Sequence, residues 1–201
     1  MDDNRKFWDR MAKLYAPIQE RSNRRLYDAV IAAASPYLTS TASVLELGCG
    51  SGQLTRPLSP LAGRWEATDY SVRMVEEARK RCTGVSFSVQ DATALDYPDA
   101  SFDVVLIANT LHIMPEPEKA LAEIRRVLKP EGILLAPTFV YEGHPNRLRM
   151  KLTELVGFRS YHHWTMAALA DFLEHRGFSV TERRLLPGDP LPEAFVAAKR
   201  Q

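Results

Sequence analysis

The chain has few cysteines and no long apolar run. Its two cysteines, Cys49 and Cys82, form neither a disulfide framework nor a metal-ligand spacing, which fits a reducing compartment. No apolar run approaches the roughly 18 residues that a membrane-spanning helix needs. The first residues also lack the basic and apolar regions of a signal peptide. We therefore expect a cytoplasmic protein without stable membrane insertion.

The chain also lacks an excess of charge of one sign. It has 26 Lys and Arg against 25 Asp and Glu, a formal net charge of +1. This balance creates no strong field for nucleic acid, so we expect no nucleic-acid partner. Basic runs from Arg21 to Arg25 and from Arg147 to Lys151 lie among helix-like residues and are typical of solvated helix faces. An acidic substrate or a membrane surface is the minor alternative for these runs.

One stretch organises the rest of the 201 residues, which are enough for one domain of ordinary size. Residues 43–52, Ser-Val-Leu-Glu-Leu-Gly-Cys-Gly-Ser-Gly, begin apolar and continue with glycines at 48, 50 and 52. This pattern predicts a buried parallel strand, a tight turn and the start of a helix. Glycines let a ligand approach the backbone, and a helix N-terminus favours an anionic group. A plain strand-to-helix turn without a ligand is the alternative.

Strand and helix patterns alternate along the chain, which predicts an α/β fold with a doubly wound sheet. The apolar run 102–108 is typical of a central parallel strand, and the short loop 187–192 allows an antiparallel hairpin at the end. A long insertion, 140–164, follows the fifth strand. Strands are predicted at 43–47, 64–69, 84–89, 102–108, 133–139, 178–186 and 193–199, and helices at 4–18, 23–37, 53–61, 71–81, 116–128, 146–156 and 165–176.

Polar residues follow several predicted strands, where ligands bind in such sheets. Asp69 follows Gly52 by 17 positions, about where an acid accepts both hydroxyls of a ribose. Asp91 is placed to accept from an adenine amino group, with the Ala92 N–H available to a ring nitrogen. Each carboxylate alone is also typical of a helix cap or a turn. Because Gln53 stands where a dinucleotide-binding fingerprint needs glycine, a nicotinamide-dependent oxidoreductase is the weakest alternative.

Together these residues resemble the class I S-adenosylmethionine-dependent methyltransferases, a Rossmann-like family, from about Phe7 to the C-terminus. Residues 46–52 resemble the first motif of that family. Further matches are Thr68-Asp69-Tyr70-Ser71 followed by Met74 and Ala78, then Gln90-Asp91-Ala92, Phe102-Asp103, and residues 124–132 in the form IRRVLKPEG. Glu131 stands where the family more often has glycine, a difference that touches only a turn.

The resemblance implies a seven-stranded sheet of order 3-2-1-4-5-7-6 whose last-numbered strand is antiparallel. It also implies one methyltransferase domain, 1–201, with S-adenosyl-L-methionine as cofactor. Within it, 1–40 would form helices or a lid, 43–139 the cofactor-binding core, 140–164 the substrate-side insertion, and 165–201 the final helix and strand pair. For the two N-terminal helices, plain packing on the sheet is the alternative to a lid.

The family's cofactor contacts carry over residue by residue. The glycine turn with Glu46 would hold the methionine part, Asp69 the ribose, and Asp91 with Ala92 the adenine. Asn109 would lie beside the methionine part, Tyr15 would cover the cofactor, and Cys49 would be a small turn residue rather than a nucleophile. The full cofactor-binding prediction is Tyr15, Glu46, Gly48, Cys49, Gly50, Asp69, Tyr70, Met74, Asp91, Ala92 and Asn109.

On the acceptor side, His112 is the first candidate for a catalytic base. It follows strand four, and an imidazole pKa of about 6.5 suits proton transfer near neutrality; a packing role is the alternative. Tyr141, His144 and His162 are further substrate candidates, and His162-His163 lacks a third ligand at zinc spacing, so we expect no metal.

The predicted activity is direct in-line methyl transfer to a small-molecule acceptor, similar to the ubiquinone and menaquinone C-methyltransferases. The aromatic residues of the insertion favour an apolar or ring-containing acceptor. A nucleic-acid or protein methyltransferase, and a cofactor-binding protein without catalysis, are the alternatives. The sequence does not determine the oligomeric state.

Overall fold

The computed structural model describes residues 5–12, 23–142, 160–188 and 191–201, which contain one eight-stranded sheet. Its strand order is β3-β2-β1-β4-β5-β8-β6, and β7 pairs with β8. The strands are β1 (Ser43–Leu47), β2 (Arg64–Asp69), β3 (Ser86–Val89), β4 (Phe102–Ile107), β5 (Leu128–Leu135), β6 (Thr138–Phe139), β7 (Phe178–Leu186) and β8 (Glu193–Arg200).

The sheet confirms the predicted doubly wound order. Strands β1 to β5 are parallel, whereas β8 runs antiparallel to β5, β6 and β7. The predicted strand 133–139 is divided into β5 and β6 by Pro137, which has no N–H for a ladder bond. Strand β5 also begins earlier than predicted, at Leu128, across the residues that were expected to form a turn.

Helices lie on both faces of this sheet, and six are described. Residues 5–12 form α1, the described part of the predicted helix 4–18. The others are α2 (Arg24–Ala34), α3 (Thr55–Leu58), α4 (Val72–Arg81), α5 (Pro117–Val127) and α6 (Met166–Glu174), with 3-10 turns at Ser35–Tyr37, Ser59–Leu61 and Leu111–Ile113. The predicted helix 146–156 lies outside the described residues. Within the described ranges, no helix is long and apolar enough to cross a membrane.

Two helices begin at hydroxyl caps, Ser71 and Thr165, which are the first residues of the predicted helices 71–81 and 165–176. The Met74 N–H donates to Ser71 Oγ at 3.1 Å, and the Ala168 N–H donates to Thr165 Oγ1 at 3.2 Å. Each hydroxyl satisfies one backbone donor that lacks a partner within the first helical turn. The Ser71 cap also fixes the start of α4 directly after β2, next to the carboxyl ends of the strands.

The core forms on both sides of β4 because its residues point alternately to opposite faces. Val105 and Ile107 join the apolar cluster beneath α5 and α6, whereas Val104 and Leu106 join the cluster beneath α2 and α4. All four are nearly or fully buried. Buried residues of α2 belong to the second cluster, so α2 packs on the sheet.

Substitutions at Glu131 measure the energetic cost of its left-handed backbone conformation, just before the apolar half of β5. Its φ is +62°, and its carboxylate pairs with the exposed Lys199 Nζ at 3.1 Å. Both Glu131→Gly and Glu131→Ala lose that ion pair, but only glycine relieves the left-handed strain. We expect the glycine variant to exceed the alanine variant in free energy of unfolding by about 1 kcal/mol. Denaturant titration of the two variants measures this difference, and equal stabilities would contradict it.

Candidate functional site

A cavity of about 410 Å³ opens at the carboxyl ends of β1, β2 and β4. The volume lies within the range of small-molecule sites. Eight residues of the predicted cofactor set line it: Gly48, Gly50, Asp69, Tyr70, Met74, Asp91, Ala92 and Asn109. The other described lining residues are Arg5, Trp8, Thr68, Gln90, Thr93, Ala108, Thr110, Ile113, Met114, Pro115, Glu116 and Tyr161.

The glycine turn forms one wall, and its shape requires glycine at position 48. Gly48 has a φ of +70°, and a Cβ placed there would lie 2.2 Å from Thr110 Oγ1. Gly50 also has a positive φ, of +54°. The turn is tied to β2 because the Cys49 N–H donates to the Thr68 carbonyl at 2.9 Å. Cys49 itself is buried and is not among the lining residues, as befits a small turn residue.

Asp69 links this turn to the start of α4. Its Oδ2 accepts from the Gly50 N–H at 2.9 Å, and its Oδ1 accepts from the Ser71 N–H at 2.8 Å. Burial raises the pKa of the carboxyl to about 6, and the charge of Asp9 adds to the rise, against the lowering effect of the two hydrogen bonds. The carboxylate is therefore held in one orientation at the cavity wall.

Asp91 both lines the cavity and closes a turn, and its contact with an adenine remains a prediction. It lines the cavity, and its Oδ1 accepts from the Thr93 N–H at 2.9 Å and from Thr93 Oγ1 at 2.7 Å. These bonds close a tight turn directly after β3. The turn places Asp91 and the neighbouring Ala92 on the same wall, as predicted for an adenine site.

Asn109 is held from three sides at the end of β4. Its φ is +50°, its N–H donates to the Pro137 carbonyl at 2.8 Å, and its Oδ1 accepts from the Phe139 N–H at 3.0 Å. Its Nδ2 donates to Glu193 Oε2 at 3.1 Å. Sequence reasoning missed Glu193, although a lone carboxylate at the start of an apolar strand was a usable signal. Burial raises the pKa of Glu193 to about 7.

Glu46 does not line the cavity. Its Oε2 accepts from Thr55 Oγ1 at 2.6 Å and from Trp65 Nε1 at 3.0 Å, so the carboxylate joins β1 to α3 and β2 behind the glycine turn. Burial raises its pKa to about 7. The structure thus assigns Glu46 a bracing position, and the predicted contact with the methionine part remains a prediction.

His112 is also absent from the cavity lining, and the chemical premise of its prediction does not hold. Only 4% of its surface is exposed, and its ring stands edge-on to Phe139 with centroids 5.9 Å apart. Burial lowers the pKa of the imidazole to about 3, and the neighbouring His163 and His162 add to the decrease. The buried His112 side chain therefore lacks the pKa near 6.5 on which its prediction as a base depended.

The described end of the insertion packs around His112. The Tyr161 and His162 N–H groups donate to the His112 carbonyl at 2.8 and 3.1 Å, which brings Tyr161 to the cavity. The predicted substrate residues Tyr141 and His162 lie outside the lining: Tyr141 contacts His163, and His162 stacks on Trp164. Tyr15 and His144 fall outside the described residues. Among those described, no three metal-ligating side chains cluster.

Helix α1 contributes lining residues that sequence reasoning did not identify individually. Arg5 and Trp8 line the cavity, and the Arg5 guanidinium lies 4.9 Å from the centre of the Tyr70 ring. Ser71 Oγ donates to Asp9 Oδ1, so α1 is attached to the cap of α4. Helix α2 contributes no lining residue. The two N-terminal helices therefore occupy different places relative to the cavity.

Comparison with known proteins gives this geometry a context. A model of a methyltransferase domain matches residues 45–136. Demethylmenaquinone methyltransferase of Renibacterium salmoninarum is 38% identical over 102 residues, which are 51% of this chain and 42% of that protein. The ubiquinone/menaquinone biosynthesis C-methyltransferase of Hydrogenovibrio crunogenus is 38% identical over 105 residues, covering 48% and 41%. The chain thus spans about two fifths of the length of these curated relatives.

A solved structure extends the similarity over nearly the whole chain. It is an S-adenosylmethionine-dependent methyltransferase of Thermotoga maritima, described as a possible histamine N-methyltransferase. Its sequence is 25% identical, the TM-score is 0.80, and the match covers 98% of this chain and 99% of that one.

Glu193 provides a test of how burial affects the pH dependence of stability. Its pKa is raised to about 7 in the folded chain, so the folded state keeps a proton that the unfolded state has lost. Stability contributed by this group therefore falls as the pH rises from about 4.5 to about 7. We expect Glu193→Gln to reduce this loss, measured by denaturant titration across that pH range. Exposed Glu174→Gln is the matched control, and equal slopes in both variants would contradict the prediction.

Proposed function

We propose that this chain, which belongs to the class I S-adenosylmethionine-dependent methyltransferase family, transfers a methyl group to a small-molecule acceptor. The family and its cofactor, S-adenosyl-L-methionine, were both predicted, and the comparisons confirm them. The observation that carries the proposal is that the glycine turn, Asp69 and Asp91 line one cavity. These groups come from three consecutive strand ends, which meet only in the folded chain.

The residues present fit the cofactor part by part. Asp69, already oriented by the Gly50 and Ser71 N–H groups, would accept the hydroxyls of the ribose. Asp91 and Ala92 would hold the adenine, and the backbone of Gly48, which lines the cavity, would face the methionine part. Tyr70, Met74 and Asn109 would complete the lining. Tyr15 as a cover for the cofactor belongs to the same proposal.

When bound, S-adenosylmethionine supplies a methyl group on a sulfonium leaving group, which permits direct in-line displacement by an acceptor atom. The chain must then align the acceptor and keep water out. Trp8 and Arg5 of α1 line the cavity, and so does Tyr161 from the described end of the insertion. We propose that these three side chains shield the reacting groups from solvent.

We propose a ring-containing acceptor, with quinols and phenols as the first compounds to test. One part of the cavity is lined by the apolar run Ile113, Met114 and Pro115 together with Tyr161. Such walls favour a planar apolar ring over a charged polymer. Two relatives, one named a demethylmenaquinone methyltransferase and one a ubiquinone/menaquinone biosynthesis C-methyltransferase, are consistent with this choice. His144 and the rest of 140–164 would form the acceptor side of the site. We also propose that the chain is a single domain and that it is located in the cytoplasm.

A nucleic-acid substrate is the less favoured alternative. The net charge is +1, and the cavity described above contains acidic as well as basic side chains. Recognition of a phosphate backbone instead needs a basic groove around the site. A cofactor-binding protein without catalysis is distinguished by experiment: it would bind the cofactor and turn over no acceptor.

Replacement of Asp69 tests the cofactor site. Asp69→Ala removes a carboxylate that would accept two charge-assisted hydrogen bonds, so we expect at least about a 100-fold loss of affinity for S-adenosylmethionine. Asp69→Asn, which retains the shape but not the charge, should lose less. Exposed Asp171→Ala is the control, and isothermal titration calorimetry with cofactor and demethylated product measures all four proteins. Wild-type affinity in a folded Asp69→Ala protein would remove Asp69 from the site.

Replacement of His112 decides whether it acts as a base. Because its pKa is about 3 and it does not line the cavity, we expect His112→Phe, which preserves the edge-on contact with Phe139, to retain turnover within about tenfold. Loss of a general base typically costs about 10²- to 10⁴-fold. The measurement is the steady-state rate at which a quinol or phenol acceptor is converted to its methylated product. A loss of that size at unchanged cofactor affinity would restore His112 as the base.

A further inference from the structure

A second cavity, also of about 410 Å³, lies between α2, α3 and α4. Its described lining shares no residue with the first cavity, although Gly52 and Gln53 belong to the same loop as the glycine turn. Three arginines from three different helices line it: Arg24 of α2, Arg56 of α3 and Arg81 of α4. We call it the arginine cavity. Apart from Gly52, which ends the glycine turn, none of its described residues has a role in the proposed methyl transfer.

The arginine cavity concentrates positive charge that the chain as a whole does not have. Among the described residues that line it, three are arginines and one, Asp28, is acidic, whereas the net charge of the whole chain is only +1. In the described part of the chain, Arg24 and Arg56 form no hydrogen bond or ion pair through their guanidinium groups, with Asp28 or with any other residue. Their donors are therefore available.

Such convergence differs from an ordinary solvated helix face. On a solvated face, like charges from separate elements point apart, because bringing them together costs Coulomb energy. Here arginines from three helices line one concave surface, together with Tyr27 and Gln53. Gln53 is partly fixed, since its Nε2 donates to Ser51 Oγ at 2.8 Å. An anion within this surface would offset the repulsion.

We propose that the arginine cavity binds a phosphate or diphosphate group. Guanidinium forks match tetrahedral phosphate oxygens with paired hydrogen bonds, and several forks together suit a group with more than one negative charge. A ligand with a single carboxylate is a poorer match than a phosphate, because it offers only two oxygens to a cavity that three arginines line. The phosphate is carried either by a soluble metabolite or by a lipid headgroup, since both present the same chemistry.

The test uses the full chain with the first cavity saturated by S-adenosylhomocysteine, so that the probe does not occupy the glycine turn. Inorganic pyrophosphate is titrated by calorimetry at low ionic strength, where screening is weakest. We expect saturable binding that weakens with added salt. The double variant Arg24→Gln/Arg56→Gln should lose at least about tenfold in affinity.

The control variant Arg73→Gln/Arg183→Gln removes the same charge from exposed positions outside the arginine cavity and should bind as the wild type does. A second arm measures sedimentation with vesicles of phosphatidylcholine containing phosphatidylglycerol. Pyrophosphate binding alone indicates a soluble ligand, and vesicle binding that the arginine variant loses indicates a headgroup. Binding in neither arm, or equal losses in the two double variants, would overturn the proposal.

Discussion

The hydrogen bonds of the Asp69 carboxylate hold the candidate site together. One oxygen accepts from the N–H of Gly50 in the turn after β1, and the other accepts from the N–H of Ser71 at the start of α4. Two loops that are far apart in sequence thereby take one relative position. Ser71 also donates a hydrogen bond to Asp9 of α1. The position of the lining residues Arg5 and Trp8, which belong to the same helix, therefore depends on this contact.

This arrangement has an energetic cost, because the site depends on carboxyl groups that are buried, as in Glu46 and Glu193, or partly buried, as in Asp69. Burial raises the pKa of Asp69 to about 6 and that of Glu46 and Glu193 to about 7. Each group keeps its proton to a higher pH in the folded chain than in the unfolded chain, so the stability of the fold decreases as the pH rises through this range. Glu46 and Glu193 brace the glycine turn and Asn109 from behind, out of the cavity. The carboxyl groups that orient the site are thus the same groups whose ionisation makes the stability of the fold depend on pH.

Predictions that depended on a few neighbouring residues agree with the structure better than predictions that depended on the surroundings in the folded chain. The strand that ends at Asp69 and the helix that begins after Ser71 lie where they were predicted, because a strand end and a helix start each depend on a few neighbouring residues. The role of His112 was argued from its position after β4 and from its ordinary pKa. The fold alters that pKa by burial against Phe139 and the segment around His162, which no local pattern reveals.

The sequence by itself determined the alternation of strands and helices, the glycine turn and the acids at the strand ends. These follow from periodicity and from backbone conformations that only certain residues adopt. Only the tertiary structure decided which side chains face the cavity and which brace it, and which arginines converge between α2, α3 and α4. The physical reason is that burial, charge proximity and side-chain direction depend on contacts between residues distant in sequence, such as Asn109 with Glu193.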